Sequence, residues 1–459
     1  MSAASERSQS KALTLDEKKA LGIVATGNFL EYFDLMLFSH LAFIVTPYFM
    51  PKTDPLVTKF LAIFAFSSSF VIRPFAAIFW GYVGDNFGRV VVLSYTTLIM
   101  GVSCLIVPSI PPYAELGIYS TFLIIFCRFL QGFSSAGEAK GAEIFVAEIV
   151  PHYPKIFLAS AFIPITCDLG GLFATLLGSL CISISADGWK TCFYIGAAIA
   201  FCSSISRKKL RETKDFLNAQ KHKSIKPTPL QRLFERRNFF SLVGLNMICP
   251  TAFFFAYSFS SDLLKETGLS DNLILINNSW LLFLDVIFLY ICAKLAYRFN
   301  PFHILKVRTA LSFILMPIAF VFLYFYQNHL VIFLTQLTVL LLTASFDPAT
   351  PVVIRSFGAR TRFSQYSKAW ACAKALMYLS TGYLTYYFHL WFGVWGVLGL
   401  LLFFSGIFAV SLYFFVPHDK MADTYLKLRE KKHLKKNLNT RASHEKPYGR
   451  EHLKKWIEQ

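Results

Sequence analysis

Gly81-Tyr-Val-Gly-Asp-Asn-Phe-Gly-Arg89 is a polar, glycine-rich turn between apolar runs at 56–83 and 90–109. Each run has about 20 residues or more, the length at which an α-helix crosses a bilayer's hydrocarbon core. Gly84 and Gly88 suit a tight reversal, because glycine adopts backbone angles that a side chain forbids. A worn copy, Ala293-Lys-Leu-Ala-Tyr-Arg-Phe-Asn-Pro301, follows 212 residues later, again after a long apolar run. A second echo links Pro154-Lys155 with Arg360-Thr-Arg-Phe-Ser364. Repetition at that distance marks a chain built from two related halves.

Working outward gives twelve apolar runs, near 20–45, 56–83, 90–109, 117–140, 156–182, 189–206, 239–261, 273–297, 304–326, 329–350, 364–388 and 394–416. They lack the period-2 alternation of barrel strands, and an isolated strand cannot satisfy its backbone in lipid, so helices are expected. The expected fold is an all-α membrane protein of twelve transmembrane helices in two six-helix, pseudo-symmetric halves. Its predicted segments are 1–19, a six-helix bundle 20–206, a basic linker 207–238, a second bundle 239–416 and a basic tail 417–459. Paired halves of this kind are characteristic of transporters that alternate access around a midplane site.

Composition agrees. Of 459 residues, 55% are hydrophobic, 17% aromatic and only 16% charged, where soluble chains carry about 25% charged residues. The net charge of +18 is unevenly placed: segments 207–238, 417–459, 294–308 and 351–368 carry +8, +6, +4 and +4, leaving −4 on the other 351 residues. Taking alternate connections between spans, one set holds 21 Lys and Arg and the other three, Lys52, Lys190 and Lys265. The positive-inside rule then puts the linker and both termini in the cytoplasm. The basic residues lie in short segments between apolar runs without a recognition motif, so no nucleic-acid partner is expected. Instead, linker and tail are read as solvated arms that meet anionic lipid headgroups. Met1 to Lys19 lacks a signal-peptide apolar core, so insertion is expected to rely on the spans. The nine cysteines all lie in apolar runs without metal-ligand spacing. No nucleophile–base array, zinc spacing or P-loop stands out, so no enzyme activity, metal or cofactor is expected.

Several motifs resemble the major facilitator superfamily, and within it the metabolite–proton symporters that include proline/betaine, oxoglutarate, citrate and shikimate carriers. Gly27-Asn28-Phe-Leu-Glu31-Tyr32-Phe33-Asp34 resembles that group's first-helix signature, and Arg73-Pro74-Phe-Ala-Ala its second-helix motif. Gly81 to Arg89 resembles the superfamily's loop motif; Arg128-Phe-Leu-Gln131-Gly132, Gly137-Glu138, Gly141-Ala142 and Glu148 resemble its fourth helix. Gly188-Trp189-Lys190 and Leu210-Arg-Glu212-Thr213 match the two ends of its sixth. The chain departs from the pattern at Asn86, Val90, Val91, Tyr297 and Arg355, positions that are otherwise basic, basic, basic, acidic and acidic.

Asn28, Glu31 and Asp34 recur every third residue, on one face of the first helix; Arg128, Gln131, Ser135 and Glu138 share a face of the fourth. An ionisable group facing lipid costs several kcal/mol, so both stripes must face protein or water. They form either a structural ion pair or a proton site, in which a carboxylate next to Arg is held ionised until transport moves the Arg away. The resemblance to sugar porters, whose first-helix acid and fourth-helix Arg couple proton to substrate, implies the same for Asp34 and Arg128, with Glu31 a further proton or substrate group. It also implies a conformational lock at Asp85, Gly88 and Arg89, in which Asp85 accepts hydrogen bonds from the positive end of a neighbouring helix. Asn28, Tyr32, Gln131, Glu138 and Tyr257 are the expected substrate contacts, the aromatics through cation–π attraction to a quaternary ammonium; for Glu138 the resemblance implies a gate or substrate-path role, with a structural pair as the alternative. Gly137-x-x-x-Gly141 is read as a helix-packing motif. Asp168, Asp285 and Lys374 sit in the middle of their spans and need partners; they are either functional or a clamp between the halves.

The expected function is proton-coupled uptake of a small polar metabolite or osmolyte, proline- or betaine-like, by alternating access in a bacterial inner membrane. The alternatives are a di- or tricarboxylate symporter and a non-transporting membrane receptor or scaffold.

Overall fold

The computed structural model describes residues 13–51, 69–150, 153–185, 187–221, 229–343 and 346–415. Part of the second predicted span and of the linker, and the basic tail, lie outside the described residues. The first six long helices are α1 (Leu15–Phe49), α2 (Arg73–Asn86), α3 (Arg89–Ile106), α4 (Ile118–Ile149), α5 (Lys155–Ile184) and α6 (Gly188–Arg207). A short linker helix, Lys214–Lys221, precedes α7 (Pro229–Phe254), which continues through a wide π-turn at Phe255–Phe259 into Ser260–Glu266. Then come α8 (Asp271–Arg298), α9 (Pro301–Phe325), α10 (His329–Thr343, resuming at Thr350–Arg355), α11 (Arg362–Phe392) and α12 (Val394–Phe414).

Among the described residues, nine of these helices are long and apolar enough to cross a membrane by length and composition alone. The others are α2, described only in its second part, α6, and α11, which carries Arg362, Lys368 and Lys374. Arg362 and Lys374 are buried in protein, so the charges that lower the apparent hydropathy of α11 need not meet lipid. Large apolar side chains face outward instead, such as Phe75 at 66% and Phe325 at 69% exposure. That much apolar surface suits acyl chains and not water.

Packing repeats the sequence repeat. α1 lies on α5 and α3 on both α4 and α6; six helices on, α7 lies on α11 and α9 on both α10 and α12. The halves meet through α2 on α11 and α5 on α8. Advancing each helix number by six exchanges these two pairs, as a two-fold pseudo-symmetry requires. Gly88 begins α3 at φ 118°, a region closed to most side chains. Gly84, which the sequence assigned to the turn, instead lies inside α2 against the ring of Phe363 on α11, with no space between them for a Cβ. Gly137 meets Trp80 and Thr96 in the same way, bringing α4 close to α2 and α3.

Candidate functional site

The polar stripes of α1 and α4 meet inside the first half. Arg128 Nη1 lies 3.5 Å from Asp34 Oδ2. Gln131 joins them, accepting from Arg128 at 2.7 Å and donating to Asp34 Oδ1 at 2.7 Å. The Cys104 thiol of α3 donates to the same Oδ1 at 3.4 Å. The Arg128 guanidinium also stands 3.9 Å from the centroid of Phe38, a cation–π contact that offsets part of its desolvation. Asp34, Arg128 and Gln131 are each at most 2% exposed.

One turn before Asp34, Glu31 belongs to a different environment. It accepts from Ser135 Oγ and lies 4.0 Å from Arg73 Nη2. It lines a cavity of about 160 Å³ between the two halves, together with Asn28, Tyr32, Arg73, Lys140, Glu143 and Asp168 from the first half. Tyr257, Asp285, Asp347, Trp370, Lys374 and Tyr378 line it from the second. Pockets for drug-sized ligands measure roughly 300–1,000 Å³, and this one is smaller. Asn28, Tyr32, Tyr257, Asp168, Asp285 and Lys374, expected from the sequence, therefore share one chamber. Asp285 and Lys374 form no ion pair among the described residues; the Lys374 ammonium donates to Cys249 Sγ at 2.9 Å.

Gln131 and Glu138 do not line this cavity. Gln131 is held within the Asp34 cluster, and Glu138 lies away from the cavity, bound by Arg207, Thr96 and Thr97. A stripe on α4 faces a different neighbour at each turn, because α4 borders α1, α2, α3 and α5. Arg207 was hidden from the sequence reading in the basic linker; it closes α6 and is 0% exposed. Lys140 and Glu143, paired at 2.5 Å on the cavity wall, were also missed. Two charges one turn apart in the largely buried second half of a 32-residue helix were the available signal.

At the linker end, charges bind the halves together. Asp85 accepts from the backbone N–H groups of Phe363 at 3.1 Å and Ser364 at 3.0 Å, capping the N-terminus of α11. Arg89 donates to Glu148 at 3.1 and 3.0 Å and to the carbonyl of Ala359 in the second half at 2.8 Å. Glu148 also accepts from Arg362 at 2.7 Å, and Arg362 reaches Asp215 of the linker helix at 3.1 Å. Arg355, where the family pattern has an acid, donates to the carbonyls of Ala147 at 2.6 Å and Val150 at 3.2 Å. These sit at the end of α4, the negative pole of that helix, where a cation is favoured and an acid is not.

Residues 24–368 match the family model of the Major Facilitator Superfamily. The chain belongs to this superfamily. A proline/betaine transporter of Escherichia coli (strain K12) is 32% identical over 209 residues, covering 43% of this chain and 41% of that one. A glycine betaine/proline/ectoine/pipecolic acid transporter of Dickeya dadantii (strain 3937) is 32% identical over 230 residues, covering 46% and 45%. The matches thus span less than half the length of these relatives. Among solved structures, a proton:xylose symporter superposes with TM-score 0.67 at 16% identity, over 87% of this chain and 94% of that one. The fucose:proton symporter of E. coli gives 0.64 at 14%, over 86% and 97%. At such identities the likeness is one of fold.

Proposed function

We propose that this chain is a proton-coupled importer of a small zwitterionic osmolyte of the proline or betaine kind, working by alternating access in a bacterial inner membrane. The observation that carries this reading is the buried Asp34–Arg128–Gln131 cluster, one helical turn from a cavity lined by both halves. Asp34 and Arg128 would form the coupling pair: Arg128 facing Asp34 favours the charged carboxylate, and a transport step that withdraws the guanidinium favours proton uptake. Glu31, on the cavity wall, stands where substrate and proton can influence one another.

The curated relatives named for proline and betaine transport support the choice of cargo. A di- or tricarboxylate cargo fits the cavity poorly, because its lining holds five carboxylates, Glu31, Glu143, Asp168, Asp285 and Asp347, against Arg73, Lys140 and Lys374. By the positive-inside rule the linker end is cytoplasmic. The contacts of Asp85, Arg89 and Arg362 then close that side, which supports reading this structure as outward-facing. Basic residues of the linker would meet anionic headgroups.

The test is uptake by the purified full chain in proteoliposomes, using labelled proline, glycine betaine, oxoglutarate and citrate, with and without an inward proton gradient. Gradient-stimulated uptake of proline or betaine is expected. Uptake of the di- and tricarboxylates alone, or ligand binding without any exchange, would reject this reading.

A further inference from the structure

The charges lining the central cavity do not cancel evenly. Arg73 faces Glu31 at 4.0 Å, and Lys140 is paired with Glu143 at 2.5 Å. Set those pairs aside, and an acidic region and a basic one remain. Asp168 of α5 and Asp285 of α8 lie within electrostatic reach of one another and of Asp347. Arg308 is within reach of Asp285 but does not line the cavity. Among the described residues, neither Asp168 nor Asp285 makes a hydrogen bond or a close ion pair. Three carboxyl groups thus share this region with one guanidinium.

The positive region belongs to α11. Lys374 is 8% exposed, its ammonium meets the Cys249 thiol at 2.9 Å, and it has no carboxylate partner among the described residues. Its charged neighbour within reach is another cation, Arg73. The two regions sit on different cross-half contacts, α5 with α8 and α2 with α11. Buried charges left this way carry a desolvation penalty that a complementary ligand can offset.

Two further features point to a ligand. The Tyr257 hydroxyl lies within electrostatic reach of both Asp168 and Asp285, its ring is packed with its centroid 4.8 Å from that of Phe253, and the residue stands in the π-turn of α7. Such turns concentrate at functional sites, and an aromatic face beside carboxylates suits an alkylated ammonium. On the same cavity wall, Glu31 is 3% exposed and its Oε2 has no hydrogen-bond partner among the described residues.

We infer that Asp168 and Asp285, with the Tyr257 ring, seat the positively charged nitrogen of a small zwitterion, and that Lys374 holds its carboxylate. The cargo is thereby oriented between the halves, its cation toward α5 and α8 and its anion toward α11. This assignment rests on the zwitterion reading of the cavity but not on proton coupling. Recognition of both charges explains why an acid-rich chamber keeps one lysine without a carboxylate.

Three near-isosteric probes test it on the purified full chain by isothermal titration at constant pH. They are glycine betaine, which carries both charges; choline, which carries the cation alone; and 3,3-dimethylbutyrate, which replaces the nitrogen with carbon and keeps the carboxylate. Wild type should bind betaine about tenfold or more tightly than either singly charged probe. Asp168→Asn and Asp285→Asn should each lower betaine affinity to about that of the carbon isostere. Lys374→Gln should remove the advantage of betaine over choline. Equal wild-type affinity for betaine and 3,3-dimethylbutyrate would overturn the assignment without any variant needing to fold. So would undiminished betaine binding in both Asp variants, or wild-type binding of none of the three. Charge-selective binding with no proton-stimulated uptake would instead reject coupled transport and leave the seat in place.

Discussion

Glu148 shows at the scale of one residue how this chain handles buried charge. Its carboxylate serves Arg89, Arg362 and Thr213 together, and it is 4% exposed. A lone buried ion pair contributes little net stability, but removing one member leaves the rest without compensation. Glu148→Gln keeps the shape and leaves two guanidinium groups facing a neutral amide. We expect a loss of about 3–5 kcal/mol, read as a lowered unfolding midpoint in detergent. A change within about 0.5 kcal/mol, the range of ordinary surface substitutions, would mean that the arginines find other acceptors. The sequence showed which charges lay inside apolar spans, because so few do. It did not show their partners: pairing depends on helix rotation and on how the halves dock, and hydrophobic periodicity specifies neither. Glu138 and Gln131 thus share a stripe with Arg128, and the stripe leaves substrate contact and structural pairing both open for Glu138; the structure shows it held by Arg207 at the end of α6.

At the scale of elements, the contact of α2 with α11 closes the linker end. Gly84 lets the Phe363 ring approach, and the two oxygens of Asp85 each take one backbone N–H of α11. Asp85→Asn keeps one acceptor oxygen and removes the charge from the positive pole of the helix. Loss of a helix cap costs about 0.5–2 kcal/mol, which shifts an open–closed equilibrium by about 2- to 30-fold. A cysteine placed at Ser364, in a chain whose native cysteines are replaced, should be alkylated faster by about that factor when Asp85→Asn is added. An unchanged rate would show that Asp85 does not hold this end shut. Among the described residues the span positions were readable from run length, including α11, despite the charges that lower its apparent hydropathy. The π-turn at Phe255–Phe259 was not, since its residues fit an ordinary apolar helix. The extra residue in that turn is accommodated by tertiary contact: Gln336 of α10 donates to the Ala256 carbonyl at 2.7 Å.

At the scale of the molecule, the worn repeat becomes a pseudo-symmetric pair of bundles whose polar equipment is divided unequally. The first half holds the Asp34–Arg128 cluster, the second supplies Asp285 and Lys374, and the cavity lies where both contribute. The division matches the motifs, which are sharp before residue 214 and blurred after it. Alternating access moves one half against the other, so a coupling pair within one half can respond to cargo held between the two. The decisive measurement compares wild type with Asp34→Asn in proteoliposomes, following betaine uptake under an inward proton gradient alongside betaine exchange without one. Wild type should do both, and the variant should keep exchange while losing gradient-driven accumulation. Undiminished gradient-driven accumulation in Asp34→Asn would contradict the assignment of Asp34 as the proton carrier.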